Sequence, residues 1–422
     1  MYSEDVSYHR DKMTFSSVRK IMLFDVAVAG HHASYIRHLT RYWCEHELPG
    51  QLDIVVSPKF LQQHSDVVGT LGCERKNINF VTIAPEEEKL LKDDNSRVNR
   101  IIRGFQEWQL LCKYATSLQA THCLIMYFDL LKFPLALGAK APCSVSGIYF
   151  RPTFHYIEFN NYVFSRQERV KLWLDKLILL RVLSNRYLKI LLCLDSFVVD
   201  HINKIPSNAK AVHLPDPVKI LSNSELDLDK LRESLGINPS RQVFLLFGSL
   251  RRRKGIQQLL DAIVMLTPDL GQKLCLVLLG VPHPIEEKAL IEAKIAEVCQ
   301  SLPVQIISNY EYIREADVYE YFHLADVVLA PYQRQVGSSG ILLLAAAAQK
   351  PVLTSNYGLI GELVKRYSLG LAVDASVPSE IAKGLTQLLL KSPREFCDQS
   401  KMKSFVEQNS PEQFASVVFK HL

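Results

Sequence analysis

The chain lacks a CxxC pair, an apolar run of the roughly 18 residues that would mark a membrane span, and any His/Cys/carboxylate spacing suited to a metal. Its nine cysteines are scattered, and most of them (Cys123, Cys143, Cys193 and Cys275 among them) lie inside apolar runs. That pattern excludes a disulfide framework and reads as buried free thiols of a reducing cytoplasm. No apolar run precedes Val18, so no secretory leader is expected, and residues 1–18 read as a disordered tail. Short repeats and low-complexity tracts are absent as well. Charge of one sign is scarce too: the net charge of +5 over 422 residues is mild. It suits an anionic small ligand or a peripheral membrane contact better than wholesale nucleic-acid binding.

What the chain does have is room and apolar material. Its 422 residues allow two to three domains, and 48% hydrophobic with 22% charged residues is ordinary globular usage. Two series of short continuous apolar runs alternate with helical pattern. The first runs through 21–28, 52–57, 80–84, 123–128, 144–150, 190–194 and 211–214, the second through 242–247, 274–279, 304–307, 327–330, 351–354 and 371–373. Continuous rather than alternating apolar runs indicate strands covered on both faces, hence βαβ units and parallel sheets. The pattern predicts an α/β protein of two Rossmann-like domains with a cleft between them. Two prolines in His213-Leu-Pro-Asp-Pro-Val218 end the first series, and a polar stretch from Ser222 to Ser240 separates it from the second. The expected division is a tail at 1–18, a first domain at 19–216, a second at 217–400 and a terminal helix at 401–422. Asp227-Leu228-Asp229 has a spacing that elsewhere holds a metal, but it lies in the polar linker and reads as a solvated helix start.

Two segments of the second half suggest chemistry. In Ala325 to Thr354 a buried strand, the loop Gly337-Ser338-Ser339-Gly340, a small-residue helix and another strand follow in order. Ligands bind open α/β sheets at the carboxyl ends of strands, and a helix start offers N–H groups and a positive dipole end to an anion. A serine there can also cap the helix. The loop is not a hydrolase elbow, because that motif needs Gly-x-Ser-x-Gly. In Phe244 to Ile256 a strand leads through Gly248 into Arg251-Arg252-Arg253-Lys254 and Gly255. Four cations opening a helix at a strand end point to a diphosphate clamp, with Lys254 as a point charge and the arginines as forks. A solvated loop is the plainer alternative.

These residues carry a resemblance. FGSLRRRKGIQQLLDAI, LCLVLLG at 274–280, ADVVLAPY, QKPVLTSNYGLIGELV at 349–364 and LGLAVD at 369–374 occur in an order and spacing similar to the carboxyl-terminal half of GT-B glycosyltransferases of the large retaining family called GT4. The resemblance covers roughly residues 20–400. It implies a GT-B fold, sugar transfer from a nucleotide-sugar to an acceptor hydroxyl, and donor-diphosphate binding by Gly248, Arg251, Arg253, Lys254, Ser338, Ser339 and Gly340. It also makes Glu362, with Gly30, His31 and His32 after the first strand, donor or acceptor contacts. It implies no cofactor beyond the nucleotide-sugar co-substrate and no bound metal. The family carries two glutamates eight residues apart near the loop, and those positions hold Val336 and Leu344 here. Ser249 likewise stands where the family often has a phosphate-binding arginine, which Arg251, Arg252 or Arg253 could replace.

In the first half, Asp129, Arg151 and His155 follow predicted strands and are the candidates to orient or deprotonate an acceptor hydroxyl. The stretch 164–190 is helical, basic and apolar, with seven Lys/Arg against two acids between Arg166 and Lys189. It fits either a helix packed on the sheet, the plainer reading, or a face resting on an anionic bilayer that brings a lipid-linked acceptor to the cleft. The expected protein is therefore a cytoplasmic, metal-independent glycosyltransferase, at the inner face of a membrane if the second reading holds. Its acceptor would be a glycan, lipid or small molecule, and its partners no nucleic acid. A non-catalytic nucleotide-sugar or partner-binding protein and a nucleotide-sugar epimerase stand as alternatives.

Overall fold

The computed structural model describes residues 19–422 apart from 29–31, 66, 68–76, 94–95, 160–163 and 219–226. Two wholly parallel sheets organise them. The first contains β1 (Lys20–Asp25), β2 (Gln51–Val56), β3 (Ile78–Thr82), β4 (His122–Ile125), β5 (Ser144–Tyr149), β6 (Leu188–Cys193) and β7 (Lys210–His213), in the order β3-β2-β1-β4-β5-β6-β7. The second contains β8 (Gln242–Phe247), β9 (Leu274–Leu279), β10 (Gln305–Asn309), β11 (Val327–Ala330), β12 (Val352–Ser355) and β13 (Gly370–Val373), in the order β10-β9-β8-β11-β12-β13. Each expected apolar run became a strand, and the inner strands are covered on both faces. Ile21 and Leu23 of β1 enter one core cluster while Met22 and Phe24 enter another. Val243 and Leu245 of β8 likewise part from Phe244 and Leu246. Side chains alternate along a strand, so helices on both sides demand apolar residues at every position.

The helices that bear on the site are α1 (His32–Glu45), α2 (Arg97–Ser117), α3 (Phe128–Ala136), α4 (Arg166–Leu183), α5 (Ile256–Val264), α6 (Gly340–Ala347), α7 (Gly358–Tyr367) and α8 (Pro411–His421). Ser165 starts α4 with a capping box: its hydroxyl accepts from Glu168 N at 3.3 Å and the Glu168 carboxylate accepts from Ser165 N at 2.8 Å. Asp227 caps the short helix Leu228–Ser234 by accepting from Lys230 N at 3.1 Å, so the Asp-x-Asp is a solvated helix start.

The last helix returns to the first sheet. Phe414, Ala415, Val418 and Phe419 of α8 join the core of the first sheet, with Phe414 4.7 Å from Tyr35 and Phe419 5.2 Å from Trp43 between ring centres. Burying each such aromatic is worth about 1.5–3 kcal/mol. The chain thus crosses between the sheets twice, and the crossings are tied together. Asn409 O accepts from Val218 N at 2.8 Å, and its side-chain oxygen accepts from Asp216 N at 2.9 Å.

In both sheets the strand order reverses beside the first strand, between β1 and β4 and between β8 and β11. A crevice opens outside the carboxyl ends of the strands at such a switch point. The two crevices face each other, for the loop after β11 touches residues that follow β5.

Candidate functional site at the facing strand ends

On the second-domain side, β8 ends at Phe247, and Arg252–Lys254 forms one 3-10 turn before α5. Gly255 joins them at φ 72°, and a Cβ there would meet Pro331 O at 2.0 Å, so only glycine fits. The turn sends Lys254 back under the strand end, where it is only 7% exposed. Its ammonium donates to Tyr332 OH at 2.8 Å and Phe247 O at 3.1 Å, and lies 4.4 Å from the Tyr332 ring centre. Among the described residues no carboxylate pairs with it. An ammonium has three donors, two of which go to neutral acceptors, so the buried charge is left uncompensated.

Tyr332 carries the connection onward, its hydroxyl lying 3.3 Å from Ser339 Oγ. Gly248 borders the same spot, since a Cβ on it would come within 3.2 Å of the lysine nitrogen. Arg253 bonds the Gln335 side chain, and burial first, then the nearby Arg151 and Arg251, hold its pKa below the usual value against the opposing pull of Tyr332. Arg251 reaches back to Ser249 Oγ at 3.3 Å, whereas Arg252 turns away to Glu287 at 2.6 Å. Gly248, Arg251, Arg253, Lys254 and Ser339 thus gather at one strand end with the start of α6. The Ser339 side chain makes no cap bond to α6, a difference from the expected capping role.

The Gly337–Gly340 loop also reaches the first domain. Gly337 N donates to Tyr156 OH at 3.0 Å, and Gly337 has φ 87° with Phe150 O 2.8 Å from where a Cβ would sit. Ser338 Oγ lies 3.2 Å from Asp216 Oδ2, whose other oxygen accepts from Tyr35 OH at 2.5 Å. Burial pushes the Asp216 carboxyl up while bonds from Tyr35 and Ser338 pull it down, and burial prevails. Val336 packs against a cluster of Tyr156, Phe164, Leu172, Tyr357 and Leu359 that bridges the domains, and Leu344 is half-buried in the second core.

On the first-domain side, Gly30 and His31 lie outside the described residues. His32 is buried at the start of α1, and its Nδ1 lies 2.7 Å from Asp25 Oδ2 at the end of β1. Burial opposes the charged imidazole, but Asp25 and, more weakly, Glu107 raise its pKa above the ordinary value. Asp129 sits at the start of α3 and accepts from Phe150 N at 2.9 Å, stapling two strand ends. Burial raises its pKa despite that bond and the nearby Lys132 and Arg151. Arg151 is exposed toward the cleft. His155 corrects the expectation of an acceptor-facing base. It is 1% exposed and lies 2.9 Å from the equally buried Asp195, within an aromatic shell of Phe154, Tyr156 and Phe159. A group so enclosed cannot meet an acceptor hydroxyl in this arrangement. Glu362 is half-buried in the first half of α7.

Asp25, Asp195, Asp216, Tyr156 and Tyr332 were not singled out in the sequence. Asp25 carried a usable signal, since it is the one charged residue inside the first apolar run, 21–28. The others gain their roles only through long-range pairing.

Two doubly wound domains, meeting at their switch points and crossed twice by the chain, define the GT-B class of fold. Residues 227–410, most of the second domain, match the model of the family described as glycosyl transferases group 1. The lipopolysaccharide 1,2-N-acetylglucosaminetransferase of Salmonella typhimurium is 30% identical over 138 residues, which are 32% of this chain and 36% of that protein. The match thus spans about a third of that relative's length. The structure of Anabaena Alr3699/HepE in complex with UDP and glucose superposes with a TM-score of 0.62 at 14% identity, covering 95% of this chain and 98% of that one. WaaG, a glycosyltransferase involved in lipopolysaccharide biosynthesis, superposes at 0.60 and 16% identity, covering 94% and 99%. These two likenesses establish the fold.

Proposed function

We propose that the protein transfers a sugar from a nucleotide-sugar to an acceptor hydroxyl, with the donor diphosphate held at the end of β8. The observation that carries this reading is Lys254, a buried cation without a carboxylate, aimed at the strand end beside Ser339 and the start of α6. An ammonium, two arginines and a helix start would stabilise the charge that develops on the leaving diphosphate, the role a divalent ion fills in other sites. The curated relative and the UDP complex of a structural neighbour support a uridine nucleotide and a glycan acceptor. Retention of configuration rests on the resemblance to GT4. Closing the two switch points on each other would keep water from the donor.

Membrane contact belongs to the same reading. The inner face of α4 buries Leu172, Leu179, Val182 and Leu183, yet its outer face exposes Val170, Trp173, Leu174 and Leu177, with Trp173 58% exposed. Of the stretch 164–190 the helix takes Arg166–Leu183, its inner face packs as the plainer reading expects, and β6 begins at Leu188. Exposed apolar side chains flanked by Arg166, Arg169, Lys176 and Arg181 suit an anionic bilayer surface. Among the described residues no helix is long and apolar enough to cross a membrane. Flotation with anionic vesicles should carry the protein upward at low salt, and Trp173→Glu should abolish it. No salt-sensitive flotation would reject the contact.

Apolar Val336 and Leu344 at the acid positions favour a second reading, a nucleotide-sugar binder without turnover. The test is release of free nucleotide from UDP- and GDP-sugars across a broad acceptor panel. Acceptor-dependent release supports transfer, and tight binding with no release supports the binder.

A further inference from the structure

A cavity of about 520 Å³ lies beside the Gly337–Gly340 loop, walled by α2, α3 and α4 on one side and by Arg334 and Val336 on the other. That volume is within the roughly 300–1,000 Å³ usual for small-molecule sites. Its charges are unbalanced. Each acid in the wall is already engaged: Asp129 by Phe150 N at 2.9 Å, Glu168 by Arg334 at 3.3 Å and by its own helix cap, Asp175 by Thr153 Oγ1 at 2.8 Å and Lys132 at 3.6 Å. Four cations of the same wall, Arg97, Arg100, Arg151 and Lys171, make no side-chain hydrogen bond or ion pair among the described residues.

Their placement works against the fold. Arg97 and Arg100 occupy the first turn of the 21-residue α2, which has no acid in that turn. A helix N-terminus repels cations and attracts anions. Arg97 and Arg100 are three residues apart, so they share a helix face, and Arg151 and Lys171 reach the cavity from two other segments. Convergence of unpaired cations with a helix start on one cavity is the arrangement that recognises a phosphate.

We propose that this cavity receives a phosphate group carried by the acceptor, so that the acceptor substrate is a phosphorylated molecule seated in the first domain next to the donor loop. Apolar Ile101, Phe133, Phe164, Leu172 and Tyr357 complete the wall and leave room for an uncharged portion beside the anion. The proposal rests on the reading of the first domain as the acceptor side. Its test is a binding measurement, so its failure is distinct from a failure of turnover.

The experiment is calorimetric titration of the full chain, with UDP saturating the donor end, using glucose, glucose 6-phosphate and farnesyl phosphate as probes. A phosphorylated probe should bind where glucose does not. The double variant Arg100→Gln/Lys171→Gln should weaken that binding by about tenfold or more while UDP affinity stays at the wild-type value. Binding of glucose 6-phosphate with this loss supports a soluble phosphorylated acceptor, and binding of farnesyl phosphate alone supports a lipid-borne one. No phosphate-dependent binding, or binding the double variant leaves intact, would overturn the proposal.

Discussion

Lys254 holds a largely desolvated charge at the cost of stability, and its replacement should show that. An ammonium held only by Tyr332 OH and a backbone carbonyl is desolvated without an opposite charge. Lys254→Met fills similar volume without that charge. The variant should unfold in urea at the same midpoint or higher, a gain of up to about 1–2 kcal/mol, as is usual where function and stability compete. A clear loss of stability would mean that the lysine is a structural strut. His122 gives a second residue-scale expectation. Burial first, then Arg19 and Lys189, lower its pKa to about 4 from the ordinary 6.5, while its Nε2 lies 2.8 Å from Ser146 Oγ. Between those values the unfolded chain takes up a proton that the folded chain refuses. The contribution is therefore fully present above about pH 6.5 and is lost on acidification toward pH 4, on the order of 3 kcal/mol in all. His122→Gln should flatten that part of the stability–pH curve, and an unchanged slope would contradict the assignment.

Among elements, the turn between β8 and α5 makes the site, and Gly255 makes the turn. At φ 72° with Pro331 O 2.0 Å from a would-be Cβ, Gly255→Ala must shift either the turn or the neighbouring strand end. The expected cost is about 1–3 kcal/mol in folding stability. It should come with weaker nucleotide binding, because Lys254 is the preceding residue; wild-type binding in that variant would show the turn is dispensable. This element was legible in the sequence: a buried run, a glycine, a basic stretch and a second glycine are local features. The strands were legible for the same reason, since six consecutive apolar residues in Leu274–Leu279 need only cover on both faces. His155 was misplaced because its position after a strand is local, whereas its burial against Asp195 depends on a partner 40 residues away. The outer face of α4 was half legible. Its apolar residues were visible, but only the structure separates those that pack from those that do not.

At the scale of the whole molecule, the two switch points are coupled through the Gly337–Gly340 loop. Tyr156 OH and Asp216 hold that loop from the first domain and the crossover, and the bonds Gly337–Tyr156 and Tyr35–Asp216 each span 181 residues. No sequence pattern announces such pairings, so the cleft's composition was the least legible part while its location was plain. Asn409, joining both crossovers, makes them one pivot. The two sets of strand ends therefore meet through a few named contacts. Everything proposed for the cleft depends on a nucleotide diphosphate binding at the end of β8 through Lys254. Calorimetric titration of the full chain with UDP and with GDP, repeated on Lys254→Met, tests it most directly. One nucleotide should bind saturably, and the folded variant should bind it about tenfold or more weakly. Equal affinity in the variant, or no binding of either nucleotide to the wild type, would contradict it.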